Sequence, residues 1–142
     1  MVSGEANQLL GSAAASNDAL VDVATTGQVR DAVQRVFSYD FARLDDNERA
    51  VTDVITGPFA QDYHQKFTRV RELAPPQQAV VIATVPALAV KMLDGDRAIV
   101  VLFIDQRANR SGQARPLLAA GRFIVAAHRV NGSWKIAGVQ PF

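Results

Sequence analysis

An Asn-Gly pair at 131–132 divides the last quarter of the chain into two strand-like runs, residues 123–130 and 133–140. No other stretch limits the fold as tightly. Asn-Gly suits a type I′ turn, in which both central residues take positive φ. A two-residue turn also fixes register, so Val130 faces Ser133, Arg129 faces Trp134 and Ala127 faces Ile136. Side chains alternate across a strand, which puts Phe123, Val125, Ala127, Trp134 and Ile136 on one apolar face. Arg122, His128 and Lys135 share the other face with Ile124 and Val139.

Upstream of this hairpin the same period of two extends back to Gln78. A first strand is expected over 78–93, with Pro86 marking a bulge or an edge position. Asp94-Gly95-Asp96 turns the chain into a second strand over 97–108. A polar loop at 109–114 precedes a third strand, from about 116 to 130. The second strand is unusual because Val100, Leu102 and Ile104 alternate with Ile99, Val101 and Phe103, so both faces are apolar. An antiparallel strand with one wet face alternates apolar and polar instead. Both faces are therefore expected to be covered, the second by a homodimer contact through the sheet, a partner subunit or the N-terminal segment.

Before Gln78 the period is helical. Val29, Val33, Val36, Phe37, Phe41 and Leu44 recur at three- and four-residue steps, predicting one helix from about Thr26. Arg30, Asp31, Gln34 and Arg35 fall on its polar side. Asp45 or Asp46 would cap a second, shorter helix through Val51, Val54 and Ile55. Thr56 or Gly57 caps a third with Pro58 at its first position, a stripe of Phe59, Tyr63, Phe67 and Val70 or Arg71, and an end at Pro75-Pro76. Residues 1–24 lack sustained periodicity and read as a flexible leader to a single domain over 25–142. Three N-terminal helices followed by a curved four-stranded antiparallel sheet make an α+β fold.

Composition narrows function mainly by exclusion. A formal net charge of +1 over 142 residues gives no general nucleic-acid footprint. The absence of cysteine removes disulfides, thiolate metal sites and a cysteine nucleophile. No Gly-rich phosphate loop, G-x-S-x-G or HExxH pattern occurs. Asp45, Asp46, Glu48 and Asp53 lack the spacing of a calcium loop and read as capping residues. Among possible acid–base groups, His128 sits on the hairpin face away from the core. His64 is turned off the Phe59-Tyr63-Phe67 stripe, as a solvated side chain, and neighbouring Asp62 and Tyr63 do not face it. Asp40 beside Tyr39 reads as a solvated helix end, with a general base as the alternative. No catalytic, cofactor or metal residue is therefore assigned. Phe37, Phe41, Tyr63, Phe67, Phe103, Phe123 and Trp134 are core aromatics. Of these, Phe37, Phe41, Tyr63, Phe67 and Trp134 are the candidates for lining a cavity; Arg122, His128 and Lys135 are the candidate partner face.

Four stretches in order carry a resemblance: VFSYDFARLDDN from Val36 to Asn47, TGPFAQDY from Thr56 to Tyr63, DRAIVVLFIDQ from Asp96 to Gln106, and VNGSWKI from Val130 to Ile136. Together they span roughly 25–142 and resemble the extracytoplasmic domain of the actinobacterial Mce-associated membrane proteins. The resemblance implies a nuclear-transport-factor-2-like cone and a non-catalytic accessory role in the cell envelope. The implied partners are protein subunits of Mce lipid-import complexes. It also implies a membrane attachment through an N-terminal helix that this chain lacks, with residues 1–24 as the remnant just after such a helix. The other reading is a small-molecule or lipid binder, or an isomerase- or dehydratase-type enzyme, using the cone cavity.

Overall fold

Asn131 and Gly132 take φ of 52° and 83°, as a type I′ turn requires. The computed structural model describes residues 12–142, with side chains from Val23 onward. Helix α1 (Ser12–Val36) is followed by a two-residue strand β1 (Tyr39–Asp40), a short 3₁₀ turn (Phe41–Arg43), α2 (Leu44–Thr52) and α3 (Gly57–Gln77). Strands β2 (Val80–Asp94), β3 (Arg97–Asn109), β4 (Leu117–Val130) and β5 (Ser133–Pro141) complete the chain. All pair antiparallel in the order β1-β2-β3-β4-β5.

The turn sets the register as its chemistry demands: Val130 faces Ser133, Arg129 faces Trp134 and Ala127 faces Ile136. One residue later the pairing shifts. Ala126 faces Gly138, leaving Ala137 as the extra residue of a bulge. Val139 thereby moves opposite Val125 and packs against the core, not on the outer face predicted from strict alternation. A second irregularity, between Thr84 and Ala87, brackets Pro86, and a third lies between Val90 and Met92. These bulges bend the sheet around the helices.

The sheet has five strands where four were expected, because the first helix ends early. Ser38 Oγ donates to Gln34 O at 2.6 Å and accepts from Ala83 N at 2.9 Å, drawing the chain out of the helix onto β2. Tyr39 and Asp40 then pair with Val81 and Val80. Asp40 Oδ1 accepts from Ala42 N at 2.9 Å and caps the 3₁₀ turn. Phe41 and Leu44 keep helical spacing with Val36 but lie on separate elements, and only Leu44 enters the core. At the other end, α1 begins at Ser12, so helical backbone runs through part of the segment expected to be a flexible leader; residues 1–11 lie outside the described residues.

Helix α2 starts at Leu44, so Asp45 and Asp46 occupy its first turn; Arg43, the N-cap, makes no side-chain capping bond. Acidic groups there suit the positive end of the helix dipole. Helix α3 carries Pro75 and Pro76 inside its last turn instead of stopping before them. It closes at Gln78, in the left-handed region with φ 49°. Gln78 N donates to Pro75 O and Ala79 N to Ala74 O, both at 3.0 Å, a Schellman arrangement.

Exposed strand edges invite unwanted pairing, and here both are partly covered. On β2, Val85 N donates to Gln34 Oε1 at 3.0 Å and Arg30 Nε donates to Val85 O at 3.1 Å. Arg30 and Gln34 thus clamp a strand edge and are not simply the solvated side of α1. On β5, Ile136 N donates to Val54 O at 2.8 Å and Thr56 N to Ile136 O at 3.0 Å. The core lies between the helices and one sheet face, where Val29, Val33, Val51 and Phe67 meet Val100, Leu102, Val125, Trp134 and Ile136. No described element of this chain packs over the other sheet face, so among the expected covers a second chain is left in play.

Candidate functional site

Two surfaces carry more than packing. The first is a cleft of about 410 Å³ between α3, the end of α1 and the core face of the sheet. Phe37 stacks on Phe123 with centroids 5.1 Å apart, and Tyr63 stacks on Phe67 at 5.5 Å. Both pairs line it, with Val70 from α3 and Val139 from β5. Of the five candidate lining residues, Phe37, Tyr63 and Phe67 come together there. Phe41 lies instead in a shallow depression beside Asp45 and Arg71, because the first helix ends before it. Trp134 is sealed in the core, its backbone N–H on Gln28 Oε1 at 2.7 Å and Arg129 over its ring at 5.4 Å.

Tyr63 is the one buried side chain among the described residues whose polar atom lacks a hydrogen-bond partner. Burial pushes its phenol well above the usual range, the Glu48 charge adds to that, and Arg71 opposes it. A buried unpaired hydroxyl costs about 1–3 kcal/mol. Tyr63→Phe is therefore expected to stabilise the fold by roughly 1 kcal/mol, read as a higher urea midpoint at unchanged slope.

Behind that tyrosine, α2 and α3 are joined by an ion cluster that links residues distant in sequence. Glu48 Oε2 lies 2.8 Å from His64 Nδ1, and Glu48 Oε1 accepts from Arg71 at 2.6 Å. Arg71 also donates to Asp45 at 2.8 Å, and its guanidinium lies 5.3 Å from the centre of the Phe67 ring. His64 is thus half-buried in a pair, not solvated. Thr52 Oγ1 is 3.5 Å from His64 Nε2, and that hydroxyl donates to Glu48 O at 2.8 Å.

The hydrogen bond from Arg71 holds the Glu48 carboxyl below its ordinary value of 4.5, against the opposing effect of burial. A carboxyl depressed in the folded state contributes stability above its unfolded value and loses it as pH falls through the folded value. The urea midpoint should accordingly fall as pH drops from about 6 through 4.5 and below, and Glu48→Gln should flatten part of that fall. Asp40, the other candidate base, has its carboxylate on the Ala42 N–H.

The second surface is the outer sheet face. Phe103 is 51% exposed there, Ile82 52%, Met92 44% and Leu118 77%. Cross-strand pairing sets Phe103 beside Ala87 and Arg122, Val101 beside Ala89 and Ile124, and Ile99 beside Met92 and Ala126. At one end of this apolar band Arg97, His128 and Lys135 form a row across three strands. Arg122 lies at the other end, 5.0 Å from the centre of the Phe142 ring. The three candidate partner residues share one face but flank the band from opposite ends.

No family model matches the chain. The chain is 28% identical over 120 residues to the uncharacterized protein Rv1362c of Mycobacterium tuberculosis, covering 83% of this chain and 54% of that protein. It is 34% identical over 88 residues to the outer membrane protein Rv1973 of the same organism, covering 61% and 54%. The chain thus spans about half the length of the curated relatives it matches. Among solved structures it is similar to the periplasmic domain of DotI, with TM-score 0.70, 15% identity and coverage of 85% of this chain and 94% of that one. The VirB8 protein of Agrobacterium tumefaciens gives TM-score 0.67 at 12% identity, covering 84% and 90%. CagV, a VirB8 homolog of Helicobacter pylori, gives 0.66 at 14%, covering 87% and 96%. The chain therefore shares its α+β fold, helices packed on one face of an antiparallel sheet, with these proteins. Among the described residues no helix is long and apolar enough to cross a membrane, and no group of three metal-ligating side chains converges.

Proposed function

We propose that this chain is a non-catalytic accessory domain of the cell envelope that docks a protein partner on its outer sheet face. The partner is a subunit of an Mce lipid-import complex. The observation that carries the reading is the band of Met92, Ile99, Val101, Phe103 and Ile124, with Met92 and Phe103 exposed and the other three part-buried, flanked by Arg97, His128 and Lys135 at one end and Arg122 at the other. A soluble monomer rarely leaves such a contiguous apolar patch uncovered, and an apolar centre with a polar rim is how protein interfaces are built. The fold shared with the periplasmic domain of DotI is compatible with an assembly role, although fold does not fix function. The motif resemblance supplies the choice of Mce complexes.

The experiment is affinity purification of the full-length protein from membranes of its native host, after gentle solubilisation. Co-purification of lipid-importer subunits is the expected result. Recovery of the protein with none of them, or with itself alone as a dimer through the sheet, contradicts the proposal.

A further inference from the structure

We infer that the cleft between α3 and the sheet binds a free acyl carboxylate, a ligand function separate from partner docking. The first observation is the shape of the space. Phe59, Tyr63, Phe67 and Val70 line it along three turns of α3, roughly 16 Å by helical rise, so the cleft is elongated and suits a chain better than a compact ring. Its volume of about 410 Å³ falls within the range of small-molecule sites. Two stacked aromatic pairs and the aliphatic Val70 and Val139 form its walls. Apolar surface of this kind gains about 25 cal/mol for each Å² that a chain removes from water.

The second observation concerns the polar groups. Lys66 and Asp62 lie one turn apart in the lining, with their ion pair at 3.0 Å and side chains 78% and 52% exposed. An exposed pair of this kind contributes little, so a ligand carboxylate can replace Asp62 as the partner of Lys66 at small cost. Gln106 also lines the cleft; its amide donates once to Phe37 O at 3.0 Å and retains a second N–H. Lys66 and Gln106 each keep a donor beyond these contacts for a ligand acceptor in the cleft. A carboxylate head group can accept from those donors, a charge-assisted contact for Lys66.

The site faces away from the outer sheet surface, so binding here neither requires nor excludes the docking proposed above. Dodecanoate, kept below its micellar concentration, is titrated into the isotopically labelled chain and followed by amide chemical shifts. Shifts should concentrate at Phe37, Phe123 and Val139. Val139→Phe fills the space from the strand side and should raise the apparent Kd by at least about tenfold. Val70→Phe fills it from the helix side and serves if the strand variant does not fold. Lys66→Glu, on an exposed position, should weaken dodecanoate by roughly threefold or more and leave dodecanol unchanged. The inference is overturned by an absence of shifts, by shifts centred on Phe103 and Met92, or by undiminished binding to the folded filled variants. Equal affinity for dodecanoate and dodecanol in the unaltered chain overturns the carboxylate assignment.

Discussion

Leu102→Ala is expected to cost about 3–4 kcal/mol and to lower Tm by roughly 10 °C. Leu102 sits mid-way along β3, fully buried, with Leu88 opposite on β2 and Phe123 opposite on β4. Those neighbours are fixed by ladder hydrogen bonds, so they relax little into the space left behind. The cost then combines lost transfer free energy with a retained cavity. Phe123 also forms one wall of the cleft, through its stack on Phe37. The variant should therefore unfold at lower urea and also loosen that wall. Calorimetry and urea titration measure the first effect.

Phe103→Asp is expected to behave in the opposite way, with little change in stability and a large loss of partner binding. Phe103 occupies the next position along β3 but projects from the outer face, half-exposed. Surface substitutions generally stay within about 0.5 kcal/mol, and an aspartate here gains Arg122 as a cross-strand neighbour of opposite charge. At the centre of a desolvated interface the same carboxylate would be a buried charge with no prepared partner. Losing an aromatic anchor commonly costs about 2 kcal/mol or more, so co-purification of a partner should fall by roughly thirtyfold. Thermal unfolding of the isolated chain and quantitative recovery of subunits from membranes check the two halves separately. A variant that unfolds early would make the loss of recovery a stability effect.

The contrast between Leu102 and Phe103 reflects how far the sequence is legible. The hairpin pairs at Val130, Arg129 and Ala127 follow from turn chemistry alone, because a two-residue loop leaves no freedom of register. Pro86 likewise announces its bulge by lacking an N–H for the ladder. The bulge at Ala137 has no such marker, and it carries Val139 from the expected outer face into the cleft wall. Phe41 is misplaced by the pattern for a related reason. Helical spacing continues from Val36 through Leu44 although the backbone has become a strand and a 3₁₀ turn, and of Phe41 and Leu44 only Leu44 packs into the core. The bond from Ala83 N to Ser38 Oγ that helps draw the helix to its end connects residues 45 apart, beyond the reach of local pattern.

The candidate sites divide in the same manner. Phe37, Tyr63 and Phe67 are legible from spacing and do line one cleft. The cluster of Glu48, His64 and Arg71 is not, because its members lie on two helices and are up to 23 residues apart. No described element of this chain covers the second sheet face, which makes the two-sided apolar pattern of β3 the basis of the docking proposal.

A photo-crosslinking residue placed at position 103 in the full-length protein, activated in native membranes, tests that proposal most directly. The matched control carries the same residue at Arg69, exposed on α3. The docking account predicts adducts with subunits of an Mce lipid importer from position 103 and none from position 69. Equal adducts from both positions, adducts with a second copy of the chain alone, or no adduct from position 103 would contradict it.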